Sequence, residues 1–260
     1  MGYRFDSVKH LHELDGRPLI GTKTALSVIA KPLTYWASGL AVERLGWKNP
    51  KKNPSAECMA YAQEKLDEIR KMSLGEYVKL LNSAYRAHAT KLKSSAVAGV
   101  DLHGLIEEFI CGRLRGAGVL LPDPLIKPFV DWSDNNVKQF LFSELNCYSR
   151  ILHVGGIADF GYEDMEGKYV LGDIKSSREA YFSQWAQLGG YDIQIGENGG
   201  FDAEGKKTFD PLIPFDYHAI FCAGASLDKP FLNLETVKMK EAFCHAVSLY
   251  KSQLFYEGDK

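Results

Sequence analysis

The 260-residue sequence lacks an apolar run approaching the ~20 residues that a membrane-spanning helix needs. The segment Met1–Ser7 contains no apolar signal sequence, and aspartate at position 6 departs from the myristoylation pattern. Internal repeats and low-complexity tracts are also missing from the sequence. With an ordinary composition of 45% hydrophobic and 25% charged residues, the chain is expected to be a cytoplasmic globular protein without membrane association.

Closely spaced cysteines are the second absence. The chain has five cysteines and no Cys-x-x-Cys pair, which removes sequence support for zinc ribbons and iron–sulfur clusters. We therefore predict no zinc, no iron–sulfur cluster and free, mostly buried thiols. The five are Cys58, Cys111, Cys147, Cys222 and Cys244.

A strong positive charge is the third absence. The formal net charge is −2, which is not typical of a general nucleic-acid binder. The distribution is uneven, however, because residues 44–93 contain eleven Lys and Arg against five Asp and Glu, a local charge of +6. This segment has helical periodicity and could follow a phosphate backbone. The alternative is a set of solvated helix faces with no ligand.

The most informative stretch is a predicted β-hairpin. Val154–Tyr162 and Lys168–Lys175 have the composition of strands, and Glu163–Gly167 has that of a turn. Because side chains alternate along a strand, Asp173 and Lys175 share one face. If Asp159 faces the same side, two carboxylates and an ammonium converge. Carboxylates that repel one another are commonly neutralised by a divalent cation, and oxygen ligands favour Mg²⁺ or Mn²⁺.

These residues also carry a family resemblance. Gly-Gly-Ile-Ala-Asp159, followed fourteen positions later by Asp173-Ile174-Lys175, resembles the core of the PD-(D/E)XK nuclease superfamily. Gln187 and Tyr191 resemble the Gln-x-x-x-Tyr motif of its RecB-like and Cas4-like exonuclease branch. Gly99-Val-Asp-Leu-His103 resembles the helical histidine motif of that branch. The proline of the superfamily's name is replaced by alanine at position 158.

The resemblance implies a set of roles. Asp159, Asp173, the carbonyl of Ile174 and His103 would hold one or two Mg²⁺ or Mn²⁺ ions. Lys175 would orient or deprotonate the attacking water, or stabilise the transition state. Glu144, in the middle of a predicted strand, would take a metal- or water-linked role, with a salt bridge as the alternative. Gln187 and Tyr191 would contact the DNA. For His103 alone, the alternative is a core histidine with its hydrogen bonds satisfied, and Glu107, one turn later, is either its orienting partner or a solvated side chain.

The implied function is a metal-dependent DNA exonuclease of the phage type, acting on single strands or DNA ends in bacterial or phage recombination and repair. A recombination or replication protein is a possible partner. Three alternatives remain open: a structure-selective or restriction-type endonuclease of the same superfamily, a non-catalytic DNA-binding subunit, and a glycosidase with a carboxylate pair. The last gives Lys175, Gln187 and Tyr191 no purpose.

The order of elements predicts an α/β fold with a central mixed sheet flanked by helices, and a helical N-terminal elaboration. The resemblance implies that the core of this fold is restriction-endonuclease-like. The predicted division is residues 1–95, a hairpin and helical region with possible DNA contacts, and residues 96–260, the nuclease core. Within this division we predict an N-terminal hairpin turning at Asp15-Gly16, and a linker over residues 49–54. Helices are predicted over 33–46, 57–72, 73–92, 97–115, 124–138, 180–195 and 234–256, strands over 140–149, 217–224 and 231–234, and a loop over 196–211.

Overall fold

The computed structural model describes residues 2–29, 34–47, 55–116, 123–210 and 214–258, without the side chains of residues 92–101, 257 and 258. The predicted linker over residues 49–54 lies outside this part of the chain. The chain divides into two compact units, a sheet unit of residues 1–30 and 99–260 and a helical unit of residues 31–98. The predicted boundary at residue 95 lies near the observed one, but the first thirty residues group with the sheet unit.

The N-terminus of the sheet unit is a three-stranded antiparallel meander of β1 (Tyr3–Asp6), β2 (Leu11–Leu14) and β3 (Arg17–Pro18). Asp15 and Gly16 turn the chain between β2 and β3 with φ of 53° and 78°. Aspartate and glycine tolerate this left-handed region, so the prediction of a turn here is confirmed. Tyr3 and Phe5 pack with Tyr148 of the main sheet in one apolar cluster.

The main sheet of the described residues has eight strands, and its order is β11-β10-β7-β6-β5-β8-β9 with β4 beside β6. The pairs β7–β10 and β4–β6 are parallel and the other pairs are antiparallel, which confirms an α/β fold with a mixed central sheet. The strands are β4 (Ile20–Gly21), β5 (Val137–Ser149), β6 (Val154–Asp164), β7 (Tyr169–Lys175), β8 (Gly200–Phe201), β9 (Lys207–Phe209), β10 (Tyr217–Cys222) and β11 (Ser226–Asn233).

Helices accompany both faces of this sheet. The described helices are α1 (Thr22–Ala25), α2 (Thr34–Arg44), α3 (Ala56–Arg70), α4 (Leu74–Tyr85), α5 (Ala87–Leu114), α6 (Lys127–Asn136), α7 (Phe182–Asn198) and α8 (Thr236–Gly258). On one face, Ile106 of α5 and Phe129 of α6 pack against Phe160 of β6. On the other face, Leu188 of α7 packs against Leu171 of β7, and Phe243 of α8 joins Val154 of β6. None of the described helices has the length and apolar character to cross a bilayer.

The helical unit contains α2, α3, α4 and the first turns of α5. Ser55 caps α3 by accepting a hydrogen bond from the N–H of Cys58. Ser73 and Glu76 form a capping box at the start of α4. These starts, at Ala56 and Leu74, lie within one residue of the starts predicted for the helices over 57–72 and 73–92.

Two predictions about secondary structure were wrong. The helices predicted over 73–92 and 97–115 are replaced by α4, which ends at Tyr85, and a single α5 that runs through residues 93–96. Residues 93–96, Lys-Ser-Ser-Ala, contain neither Gly nor Pro, so nothing in them stops a helix. The predicted loop over 196–211 contains β8 and β9, whose pairing with each other and with β5 a local pattern does not encode.

Candidate active site

Three acidic residues lie level with one another across three neighbouring strands. The β6–β7 ladder pairs Phe160 with Gly172, so its next residues, Asp159 and Asp173, face each other. On the other side, the β5–β6 ladder pairs Ser143 with Phe160 and Leu145 with Ala158, so Glu144 lies opposite Asp159. The sheet therefore brings Glu144, Asp159 and Asp173 into one row.

Asp159 is a nearly buried carboxylate with two partners. Its Oδ2 accepts a hydrogen bond of 2.9 Å from the N–H of Ile174 and lies 3.3 Å from Nε2 of His103. Burial acts to raise the pKa of Asp159, but His103, Lys175 and the Ile174 N–H outweigh it and lower that pKa to about 2. Asp159 is therefore ionised at neutral pH, and it joins the hairpin to the histidine helix.

Asp173 is fully buried beside the ammonium of Lys175. Nζ of Lys175 lies 2.5 Å from Oδ2 of Asp173, and the lysine side chain is 16% exposed. The other carboxylate oxygen, Oδ1, is buried and has no hydrogen-bond partner among the described residues. Burial raises the pKa of Asp173 to about 6, with Lys175 acting against the rise and Asp159 adding to it. Buried oxygens that lack hydrogen bonds are rare in folded proteins and indicate a site that takes a further partner.

Lys175 remains a cation in this setting. Burial acts to lower its pKa, but the carboxylates of Asp173 and Asp159 raise it above the ordinary value. The ammonium is thus charged at neutral pH. The side chain of Ile174, between the two polar residues, is buried in the core on the other face, as alternation predicts.

Glu144 occupies a strained position inside a strand. Its φ is +47°, in the left-handed region that costs a non-glycine residue about 1–3 kcal/mol. Burial, then the charges of Asp159 and Glu107, raise its pKa to about 7, and His103 and Lys23 act against this. No ion pair of the described residues includes Glu144, so the alternative of a salt bridge is not observed.

The strain at Glu144 coincides with a change of face in both strands. In β6, Val154 and Ala158 pack beneath α7 and α8, whereas Phe160 packs against α5 and α6. In β5, Phe142 and Leu145 share the α7 face although strict alternation would separate them. The alternation is interrupted at Asp159 and at Glu144, the two residues that lie opposite each other. The carboxylate row therefore sits where the sheet departs from regular geometry.

His103 reaches the row from α5. Its side chain is 33% exposed, and Glu107, one turn later, is exposed. The charge of Glu107 acts on Glu144, so this glutamate belongs to the same acidic group. The structure thus brings together His103, Glu144, Asp159, Asp173 and Lys175, five of the predicted site residues. The predicted ligand role of the Ile174 carbonyl stays a prediction.

Gln187 and Tyr191 lie on α7 below the row, and their polar atoms face each other. Nε2 of Gln187 donates a 2.9 Å hydrogen bond to Oη of Tyr191, and both side chains are buried. Burial, with Asp159 and Asp173, raises the pKa of Tyr191 well above its ordinary value. The ring of Tyr191 also leaves no room for a side chain at position 156 of β6, because a Cβ at Gly156 would come within 2.6 Å of that ring. Substrate contact by this pair stays a prediction, and in this structure the pair supports β6.

The start of α1 lies beside the carboxylate row. It is held there by residues that were not among the predicted site residues. Oγ1 of Thr22 donates to the carbonyl of Gly155 at 3.1 Å and accepts from Nε2 of Gln194 at 2.9 Å. The next residue, Lys23, is exposed, and its charge acts on both Glu144 and Asp173. In the sequence, Thr22 and Thr24 indicate only a helix start, and nothing local connects them with Gly155.

The residue types of the row fit a hard divalent cation. Carboxylate oxygens are the ligands of Mg²⁺ and Mn²⁺, and Oδ1 of Asp173 has no hydrogen-bond partner among the described residues. Among the described side chains, however, no group of three or more His, Cys, Asp and Glu is arranged closely enough to hold a metal ion. An ion would have to draw the carboxylates together, against the ion pair between Lys175 and Asp173.

Comparison with known proteins does not assign this chain to a family. No protein-family model matches the chain, and no curated protein matches it. The resemblance to the PD-(D/E)XK superfamily therefore depends on the motifs around Asp159 and on the row that they form.

Proposed function

We propose that this protein is a metal-dependent deoxyribonuclease that hydrolyses phosphodiester bonds as a RecB-like exonuclease. The observation that carries the proposal is the meeting of Asp159, Asp173 and Lys175 at one level of two paired strands, with His103 3.3 Å from Asp159. Acids paired with a buried lysine are costly to bury without a function. The motifs that supply them appear in the order typical of the PD-(D/E)XK superfamily.

The roles proposed for the individual residues follow from their environments. Asp159, Asp173, Glu144 and His103 would hold Mg²⁺ or Mn²⁺, which when bound polarises the phosphate and neutralises the charge that develops on it. Because the pKa of Lys175 is raised, its ammonium would act as a hydrogen-bond donor to the phosphate or the attacking water rather than as a base. Lys23 lies exposed near the same acids and would add positive charge at the entrance.

Three features support DNA cleavage from an end over the alternatives. The acids and the lysine are all retained, which argues against a non-catalytic subunit. The Gln187/Tyr191 and His103 motifs resemble the exonuclease branch of the superfamily rather than restriction endonucleases. The helical unit carries twelve Lys and Arg against six Asp and Glu, a charge that favours a polyanionic substrate.

Cleavage of end-labelled linear DNA and of circular DNA, single- and double-stranded, tests the proposal. Wild type with Mg²⁺ or Mn²⁺ is expected to degrade linear DNA and to leave circles intact. Asp173→Asn is expected to lose this activity by about three orders of magnitude or more, and Asp210→Asn, an exposed carboxylate outside the row, is the matched control. Cutting of circles at the linear rate would reject the exonuclease, and full activity of Asp173→Asn would reject the metal site.

A further inference from the structure

The helical unit contains a groove that the proposed active site does not use. It has a volume of about 500 Å³ and lies between the end of α2, the middle of α3 and the start of α5. Three of its lining side chains are cations, Arg44, Lys65 and Lys91, and one is an acid, Glu43. Tyr61 and Leu40 supply aromatic and apolar surface beside them. All of these residues belong to the helical unit.

Local packing fixes the wall of the groove at Lys65. Helix α2 ends at Arg44, and the turn after it contains Gly46, whose φ is +102°. In this turn the N–H of Trp47 donates to the carbonyl of Val42 at 2.9 Å. A Cβ at Gly46 would lie 2.5 Å from Cβ of Lys65, so a larger residue would push the two helices apart. The lysine stem is thereby held against α2, and its ammonium lies 2.5 Å from Glu68.

The charge of the whole unit selects the kind of ligand. Residues 31–98 carry +6, and the remainder of the chain carries −8, because the total is −2. Such asymmetry between parts of one chain is typical of proteins that bind nucleic acid. An open basic groove with an aromatic residue is the combination that binds single strands, since cations take the phosphates and the ring stacks on a base.

We infer that this groove is a second DNA-contact site, in which Arg44 and Lys91 bind consecutive phosphates of a single strand and Tyr61 lies beneath a base. The inference rests on the proposed function, because the strand would be the substrate of the same chain. Binding here adds affinity without chemistry. The groove would therefore act on long substrates and leave the cleavage of a minimal phosphodiester unchanged.

The test measures binding apart from cleavage. The full chain carrying Asp173→Asn is titrated into a fluorescein-labelled oligothymidylate of about 20 nucleotides, with anisotropy read from 50 to 200 mM salt. Adding Arg44→Glu and Lys91→Glu is expected to weaken binding about tenfold or more, and to reduce the salt slope by about 1.4, because each single-strand phosphate contact contributes about 0.7. Lys71→Glu with Lys79→Glu makes the same charge change at exposed positions outside the groove, and is expected to weaken binding less than threefold.

The groove variant is compared directly with the control variant. Equal losses in the groove and control variants would overturn the inference, and so would displacement of the oligonucleotide by an equal charge concentration of polyglutamate. Arg44→Gln with Lys91→Gln repeats the measurement with a milder change if charge reversal disturbs the fold seen by circular dichroism. Wild type that neither binds nor cleaves DNA would instead defeat the proposed function. Both the groove inference and the proposed function are supported if wild type and the groove variants cleave the dinucleotide pTpT at the same rate and wild type cleaves long strands faster.

Discussion

The sheet unit and the helical unit differ in the sign of their net charge and in whether their charged side chains are buried. The sheet unit has a net charge of −8 and buries acids, among them Asp173 and Asp159 in the row and Asp192 on α7. The helical unit has a net charge of +6, and its ion pairs, such as Arg70 with Asp67, are largely exposed. Burying a charge costs free energy that an exposed charge does not, so the sheet unit keeps groups that stability alone would not retain.

The contrast extends to Asp192. It contacts His218 at 3.1 Å and Lys240 at 2.9 Å, so β10 and α8 are both tied to the helix that carries Tyr191. In the helical unit, Ser55 and Ser73 stabilise the starts of α3 and α4 by capping them. Buried pairs fix the geometry of the sheet unit, whereas local caps stabilise the helix starts of the helical unit. The consequence is that substitutions of charge should matter far more in the first than in the second.

The sharpest test of this contrast is Lys175→Met. Cleavage is expected to fall about a thousandfold, and removing one member of a buried pair should cost about 3–5 kcal/mol at pH 8. Without the lysine, the pKa of Asp173 rises further above its unfolded value. The loss of stability is therefore full at a pH above the folded-state pKa of Asp173. It disappears as the pH falls below that pKa and Asp173 takes up a proton. Urea denaturation in EDTA at pH 5 and pH 8 measures it.

The control for Lys175→Met is the double substitution with Asp173→Asn. It removes both charges and is expected to recover most of the stability, while activity stays lost. An equal destabilisation at pH 5 and pH 8 would show that Lys175 stabilises the sheet unit by packing rather than by charge.

The next effect is acid destabilisation of the sheet unit through His12. This histidine is buried in the N-terminal meander, where Oη of Tyr3 lies 2.7 Å from its Nδ1. Burial, and secondarily His10, lower its pKa to about 4. In the unfolded chain the pKa of a histidine is about 6.5. The stability that neutral His12 contributes is therefore complete above pH 6.5. It is lost as the pH falls to about 4, which lowers the free energy of unfolding by roughly 3 kcal/mol.

Urea denaturation between pH 4 and pH 7 of wild type and His12→Gln measures this contribution. Glutamine keeps a hydrogen-bond partner for Tyr3 but does not titrate, so the variant is expected to have a flatter profile. Identical profiles would assign the acid sensitivity to other groups.

A third comparison uses glycine, and its effects have opposite signs in the two units. Gly156→Ala in β6 places a Cβ 2.6 Å from Oγ1 of Thr22 and from the ring of Tyr191, so it should destabilise by about 1–3 kcal/mol. Gly39→Ala in the interior of α2 meets nothing within 4 Å and should stabilise by about 0.5–1 kcal/mol. Thermal unfolding measures both, and a stabilising Gly156→Ala would mean that α1 and α7 pack less closely on β6.

The local parts of this architecture were predictable, and the long-range parts were not. The hairpin around Asp159 and Asp173 and the caps at Ser55 and Ser73 follow from alternation, turn composition and capping residues within a few positions. The left-handed φ of Glu144 lies where two strands change face together, which no local pattern encodes. The approach of Thr22 to Gly155 joins residues 133 positions apart, so the sequence offered only a helix start.

The smallest expected effect belongs to Arg70→Ala in the helical unit. Nη1 of Arg70 lies 3.2 Å from Oδ1 of Asp67, but the two side chains are 65% and 48% exposed. Exposed pairs gain little because water and salt screen them and two long side chains lose freedom. The melting temperature is therefore expected to stay within about 1 °C of wild type, at both 50 mM and 500 mM salt, in differential scanning calorimetry. A shift comparable to that of Lys175→Met would remove the distinction between the two units, because it would show that an exposed pair also holds this fold together.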